Sequence, residues 1–192
     1  MKTISLLFIS VIMFFLSGCS YKGGVISVKP YTVNFLSFNK HAQSVYLNKF
    51  QDERIHKNII AVVTDNKGDN LGYSTTQTNF SKWYDSAIKK ALKANGVVVV
   101  NSPYKASLKI SGKINNILAT FNKSDLTKEN LTGFISLKLI IKKGNTTITK
   151  TISEHINKYN GISVSSQDFK KEIKILLDDS VRMIVKNILN VK

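Results

Sequence analysis

The chain of 192 residues carries 28 lysine and arginine side chains against 12 aspartate and glutamate side chains, a formal charge of +16. Its single cysteine excludes an internal disulfide and a cysteine-based zinc site, so the fold must be stable on its core alone. A surface this positive favours anionic partners such as lipid phosphates, acidic glycans or nucleic acid.

The first 18 residues have the composition of a cleavable signal peptide. One positive charge, Lys2, precedes an apolar run over residues 4–16, which is shorter than the roughly 20 residues that a membrane-spanning helix needs. A signal peptide has a basic start, an apolar stretch and small residues before the cleavage point. The chain that remains after residue 18 carries 27 basic and 12 acidic side chains and is long enough for one domain and a tether.

The residues Leu16, Ser17, Gly18 and Cys19 follow the apolar run and include the only cysteine of the chain. They resemble the lipobox of bacterial lipoprotein precursors, which is an aliphatic residue, a small residue, Gly or Ala, and then Cys. The resemblance implies cleavage between Gly18 and Cys19, thioether lipidation of Cys19 and acylation of the new amino terminus. Two or three acyl chains anchor a protein stably, whereas one chain binds only marginally.

The lipobox resemblance also implies a location. Ser20 follows the cysteine, and in the enterobacterial sorting rule an Asp at that place would retain the protein on the inner membrane. We therefore expect a Gram-negative outer-membrane lipoprotein that faces the periplasm. There the chain would meet an envelope protein partner and anionic lipid or lipopolysaccharide, and no nucleic acid.

Residues 19–43 read as a lipidated tether that continues into a partly ordered arm, because Gly23, Gly24 and Pro30 interrupt any regular period. Short extended pieces are expected at residues 25–28 and 33–38. The domain is expected to occupy residues 44–192.

The first half of the domain predicts strands around one clear helix. The side chains of residues 44–50 alternate between the two faces of an extended segment. Residues 58–64 form a β-branched run typical of a buried strand. Asn79 can cap a helix that ends at Asn95 and Gly96. One apolar stripe runs along this helix and is formed by Phe80, Trp83, Tyr84, Ala87, Ile88, Ala91 and Leu92. Residues 97–100 follow as a buried strand.

The second half predicts long strands and a closing helix. Residues 106–121 begin with apolar and polar residues in alternation, which predicts a half-exposed strand, and Gly112 is expected as a bend in it. In residues 131–141 every second residue is apolar, so these residues all lie on one face of a strand. The chain then turns at 142–145 and returns along 146–159. A last amphipathic helix begins at Ser165 or Ser166, and Asp168 completes a capping box with Ser165.

These elements predict an α+β domain of two layers. We expect a mostly antiparallel sheet of about five to six strands with both amphipathic helices on one face.

Two families share this order of elements. The chain resembles the YajG-like family of enterobacterial lipoproteins in its lipobox and in the strand that ends in Asp52-Glu53-Arg54, which is a D-x-R motif in that family. It also resembles that family in the helix that ends at Asn95 and Gly96 and in the hairpin before the last helix. This resemblance implies a lipoprotein without an assigned activity. The chain also resembles LptE, which implies a component of lipopolysaccharide transport and assembly.

The charged residues of the D-x-R motif allow two roles. Asp52 and Arg54 lie two apart at a strand end, so their side chains share one side of the strand. They could form a structural ion pair or present a charged interaction site.

Motifs for catalysis are incomplete. Ser86 with Lys89, and Ser37 with Lys40, match the S-x-x-K of penicillin-recognising enzymes, but no S-D-N or K-T-G motif follows. Residues 64–68 match only the start of a peptidoglycan-binding motif.

Metal-ligand spacing is also missing. The three histidines, His41, His56 and His155, lie far apart in the sequence with no i, i+4 pair. We therefore expect no cofactor, no metal and no enzyme, but an accessory or scaffold subunit of an outer-membrane-associated assembly, with the LptE-like role as the alternative.

Overall fold

The computed structural model describes residues 23–36, 43–125 and 129–191. The sequence predictions for Gly18, Cys19, His41 and the pair Ser37 and Lys40 lie outside these residues.

The described chain forms one eight-stranded sheet and two α-helices. The strands are β1 (Ser44–Leu47), β2 (Gln51–Asp52), β3 (Ile59–Thr64), β4 (Asn70–Thr75), β5 (Val98–Val100), β6 (Leu108–Asn122), β7 (Leu131–Lys143) and β8 (Thr146–Lys158). The helices are α1 (Phe80–Ala94) and α2 (Ser166–Leu189), and a short 3-10 turn covers Pro103–Lys105.

Strand β6 is the centre of the sheet because it pairs along both of its edges. One edge pairs antiparallel with β7 over almost its whole length, and β7 continues to β8 through a hairpin. The other edge pairs in succession with β1, β2 and β3, all parallel to β6. Strand β5 extends the sheet parallel to β1, and β4 extends it antiparallel to β3.

The α+β class and the two amphipathic helices are as predicted, but the sheet differs. It has eight strands where five to six were expected, and it is mixed, because four of its pairs are parallel. The prediction missed β4, whose short sequence around Gly72 has no strong alternation, and it did not separate the two-residue strand β2 from its neighbours.

One face of the sheet is buried under the helices. Alternate residues of β6 and β7 are buried from Leu108 to Phe121 and from Leu131 to Ile141, as the apolar alternation predicts. The apolar stripe of α1 is also buried. Burial of this apolar surface is the main stabilising contribution to the domain.

The two helices meet through a buried hydrogen bond. The Ser180 hydroxyl of α2 donates to the Leu177 carbonyl oxygen at 2.8 Å, so the Tyr84 hydroxyl of α1 donates to Ser180 Oγ, also at 2.8 Å. Phe50 stacks on Tyr84 with ring centroids 5.8 Å apart, and burial raises the pKa of Tyr84.

Both predicted helix caps are present. The Asn79 side chain accepts a hydrogen bond from the Lys82 amide at 3.0 Å. At α2, the Asp168 amide donates to Ser165 Oγ at 3.2 Å, and the Ser165 amide donates to the Asp168 carboxylate at 2.9 Å. The hydrogen bonds from Ser165 lower the pKa of Asp168.

The bend predicted at Gly112 is wrong. The pairing of β6 with β7 shifts register at residue 115 instead, between Ile114 and Asn116. Gly112 has a different role, since a Cβ at this position would collide with the Phe50 ring. The glycine therefore lets an aromatic side chain lie directly on the sheet.

Residues 23–36 form an arm that packs on the domain. The Ile26 amide donates to the Thr75 carbonyl oxygen at 2.8 Å, and the Thr75 amide donates to the Gly24 carbonyl oxygen at 3.0 Å. Ile26 and Tyr31 are buried, and the Trp83 indole donates to the Lys29 carbonyl oxygen at 2.9 Å. The arm therefore covers the outer edge of β4 and then crosses α1.

Candidate functional site

The open face of the sheet, opposite the helices, carries a group of lysines. Lys109 lies directly across from Lys142, and Lys113 lies directly across from Lys138, on the antiparallel strands β6 and β7. Side chains at directly paired positions share a face with Cβ atoms about 4.5–5.5 Å apart. We call these four residues the lysine quartet.

A cleft opens beside the quartet, where the edge of β6 lacks a paired strand. Strand β1 pairs with β6 up to Ile110 and β2 resumes at Lys113, so Ser111 and Gly112 have no strand beside them on this edge. The cleft has a volume of about 620 Å³. Its lining is formed by Tyr46, Leu47, Asn48, Lys49, Gln51, Ser111, Gly112, Lys113 and Ile140.

The charges of the quartet are incompletely balanced. Lys113 forms an ion pair with Glu53 at 2.6 Å. Within the described residues, Lys109, Lys138 and Lys142 form no ion pair, and the cleft lining contains no carboxylate. Like charges at directly opposite positions of a sheet are destabilising. The quartet thus has a cost in stability.

The predicted pair of Asp52 and Arg54 forms inside the domain. Arg54 donates to both carboxylate oxygens of Asp52, at 2.9 and 2.8 Å, and to the Lys57 carbonyl oxygen at 2.8 Å. The Arg54 guanidinium also lies 4.7 Å from the centroid of the Phe80 ring, and its side chain is only 4% exposed. This geometry suits a structural pair that closes the turn between β2 and β3, because the Arg54 side chain is buried, although its Nη1 has no hydrogen-bond partner among the described residues.

The S-x-x-K residues of α1 lie at a second cleft. Ser86 and Lys89 are both exposed, and with Lys82 and Asp85 they line a cavity of about 470 Å³. The Asp85 carboxylate accepts a hydrogen bond from the Phe50 amide at 2.9 Å, and burial raises the pKa of the Asp85 carboxyl group. Asp85 is therefore engaged in holding the segment between β1 and β2.

The residues of the partial peptidoglycan motif form a tight turn. The Asp65 carboxylate accepts hydrogen bonds from the amides of Lys67 and Asp69, both at 2.9 Å, and Gly68 has a φ of +84°. The carboxylate therefore organises its own loop, which is the local turn-forming use of aspartate.

The described histidines lie apart. His56 is exposed in the turn between β2 and β3, and His155 stacks on Phe134 with ring centroids 4.5 Å apart. Among the residues described, no group of three or more His, Cys, Asp or Glu side chains could hold a metal ion.

Sequence reasoning missed the quartet. The four lysines alternate with apolar residues on two strands, but their pairing depends on the register of β6 against β7. A loop of eight residues between Asn122 and Leu131 connects these strands, and a loop of this length does not specify the register.

Neither helix in the described ranges is long and apolar enough to cross a bilayer. No family model matches the sequence, and no curated protein matches it. The YajG-like and LptE resemblances therefore gain no further support.

Two solved structures share the fold, and a third matches with a lower TM-score. A Xanthomonas campestris protein of the family DUF330 matches with a TM-score of 0.63 and 10% identity, over 86% of this chain and 94% of that one. A hypothetical protein from Chlamydia trachomatis matches with a TM-score of 0.50 and 10% identity, over 76% and 95%. A minor lipoprotein from Acinetobacter baumannii matches with a TM-score of 0.46 and 14% identity, over 76% and 91%. At these identities the similarity concerns the fold alone.

Proposed function

We propose that this protein is a non-enzymatic lipoprotein of the Gram-negative outer membrane, anchored through Cys19, that acts as an accessory or scaffold subunit of an envelope assembly. The lipobox supports the anchor. The incomplete catalytic motifs and the structural use of Asp52, Arg54 and Asp85 support a role in binding.

The observation that carries the proposal is the lipobox, and the packing of the arm adds an orientation to the proposed anchor. Only four residue steps separate Cys19 from Gly23, where the described arm begins beside Tyr73 of β4. A fully extended chain spans at most about 3.6 Å per residue, so Gly23 lies within about 14 Å of a lipidated Cys19. The anchor would thus hold one particular end of the domain close to the membrane.

We define this end, the arm end, by the row of paired residues Gly72, Val63, Phe121, Leu131 and Lys158 that crosses the sheet. Apolar side chains are exposed close to this row: Leu71 is 43% exposed and Tyr73 is 50% exposed on β4, and Tyr159 is 54% exposed just after β8. Aromatic and aliphatic side chains of this kind suit the headgroup region of a bilayer.

Replacing the anchoring residue tests this function. For Cys19→Ala we expect the protein to leave the membrane fraction or to persist as an uncleaved precursor, because no thiol is available for lipidation. Fractionation and mass spectrometry of the native protein would measure this. A free thiol on an unmodified Cys19 in membrane-bound protein would contradict the proposal.

A pull-down from detergent-solubilised membranes tests the accessory role. We expect a stable envelope protein partner that is retained in high salt. Recovery of a large outer-membrane barrel would favour the LptE-like alternative, and recovery of the protein alone would contradict a scaffold function.

A further inference from the structure

We propose that the lysine quartet and the adjoining cleft bind a saccharide that carries two phosphate ester groups. This inference concerns a site of the folded domain and does not depend on lipidation of Cys19.

The charge of the pair Lys109 and Lys142 matches a phosphate, and the other pair offers one further lysine. Lys109 and Lys142 lie directly opposite each other on one face of the sheet, so both side chains can reach one ligand group. A phosphate ester carries about 1.5 to 2 negative charges near pH 7 and has three acceptor oxygens. A carboxylate would neutralise only one of the two lysines. At the other pair, Glu53 already binds Lys113 at 2.6 Å and leaves Lys138 available.

The spacing of the pairs indicates two anionic groups on one ligand. Lys113 lies four residue steps after Lys109 on a regular stretch of β6, so the two pairs lie about 13 Å apart at about 3.3 Å per residue. The row between them holds the neutral pair Ser111 and Ile140. A single phosphate cannot span both pairs, whereas phosphates at the two ends of a disaccharide can.

The groups beside the quartet suit the body of a sugar. The cleft lining presents Asn48, Gln51 and Ser111, whose side chains both donate and accept hydrogen bonds. The aromatic ring of Tyr46, the direct sheet neighbour of Lys109, and the aliphatic side chains of Leu47 and Ile140 add apolar surface. The polar side chains suit the hydroxyl groups of a pyranose ring, and the apolar surface suits its apolar face.

A titration with matched ligands tests the inference. The full-length protein is held in a neutral polyoxyethylene detergent, which carries neither sugar nor charge, and is titrated calorimetrically with trehalose 6,6′-bisphosphate, trehalose 6-phosphate and trehalose. We expect the bisphosphate to bind at least 10-fold more tightly than the monophosphate, and trehalose to bind negligibly.

A charge-matched pair of variants separates the cleft from the net charge. In Lys109→Gln with Lys142→Gln, the affinity for the bisphosphate should fall at least 10-fold, towards the value for the monophosphate. The control is Lys67→Gln with Lys90→Gln, which removes the same charge at two exposed positions outside the cleft. The control should keep the wild-type affinity.

Three outcomes would overturn the inference. Equal losses in the two double variants would show that net charge alone attracts the ligand. Equal affinity for the monophosphate and the bisphosphate would contradict the two-phosphate spacing. Binding to phosphatidylglycerol vesicles or to an acidic peptide, without binding to the soluble bisphosphate, would replace the saccharide with a membrane or a protein partner.

Discussion

The two ends of the long β6–β7 hairpin differ in how their charges are used. Near the arm end, the turns mix lysines with Asp65, Asp69 and Asp125, and Lys158 pairs with Glu172 at 2.5 Å. The lysine quartet lies at the other end, where three of its four lysines lack an ion pair with any described residue. The ends are about 35 Å apart along β6.

This difference shows that the positive charge has a structural pattern. An excess of lysine alone accounts for lysines without an ion pair, since among the described lysines only Lys113, Lys158 and Lys174 form one. The quartet also places like charges opposite each other on paired strands, which is unfavourable without a ligand. In the arrangement proposed above, the domain has one end close to the membrane and an anionic ligand at the other.

The largest expected effect comes from breaking the arm. Trp83 is 8% exposed, contacts the rings of Tyr31 and Tyr84, and donates to the Lys29 carbonyl oxygen. We expect Trp83→Ala to lower the free energy of unfolding by about 4 kcal/mol and to make the arm sensitive to protease. Trp83→Phe is the control, since it keeps much of the packing and should lose less. Unchanged proteolysis of the arm in Trp83→Ala would contradict its role in holding the arm.

A smaller effect is expected at the cap of α2. This cap lies beside the arm, since a Cβ at Gly24 would collide with Ser166 Oγ. Ser165→Ala should lower the free energy of unfolding by about 1 kcal/mol through loss of the capping hydrogen bonds. Thermal denaturation would measure this loss. The control is Ser163→Ala, which removes an exposed hydroxyl outside the cap and should leave the stability unchanged. Equal stability of the two variants would contradict the role of the cap.

The contribution of Asp168 to this cap should depend on pH. Because the folded protein lowers the pKa of Asp168, its stabilisation is present above the ordinary Asp pKa of about 3.9 and is lost as the pH falls through the lowered value. The stability difference between wild type and Asp168→Asn should therefore be full at about pH 6 and shrink in strong acid. A difference that is independent of pH would contradict this linkage.

The smallest effect has the opposite sign. Lys109→Gln with Lys142→Gln should raise the free energy of unfolding by about 0.5 kcal/mol, because it removes a repulsive cross-strand pair. The gain should decrease at about 1 M salt, where the charges are screened. Chemical denaturation at two salt concentrations would measure it, and a loss of stability in low salt would contradict the repulsion.

Local signals predicted the elements that depend on neighbours in the sequence. Asn79 and Ser165 cap the helices as expected, and the apolar alternation identified the buried face of β7. Each of these features is determined within a few residues, through side-chain capping or a period of two.

The features that were not predicted depend on contacts between distant residues. The parallel pairing of β1, β2 and β3 with one edge of β6 joins segments more than 50 residues apart. The quartet needs the register of β6 against β7, and the role of Gly112 needs the position of the Phe50 ring. None of these contacts leaves a periodic signal in the sequence.

The most direct test of the account measures how far each end of the domain lies from the bilayer. A lipidated Cys19 has no free thiol, so a cysteine introduced at Leu71 or at Asn145, in the β7–β8 turn, can be labelled alone with a fluorophore. In vesicles with headgroup-quencher lipids, we expect strong quenching at position 71 and little at position 145. Equal quenching at both positions, or stronger quenching at 145, would contradict the proposed orientation.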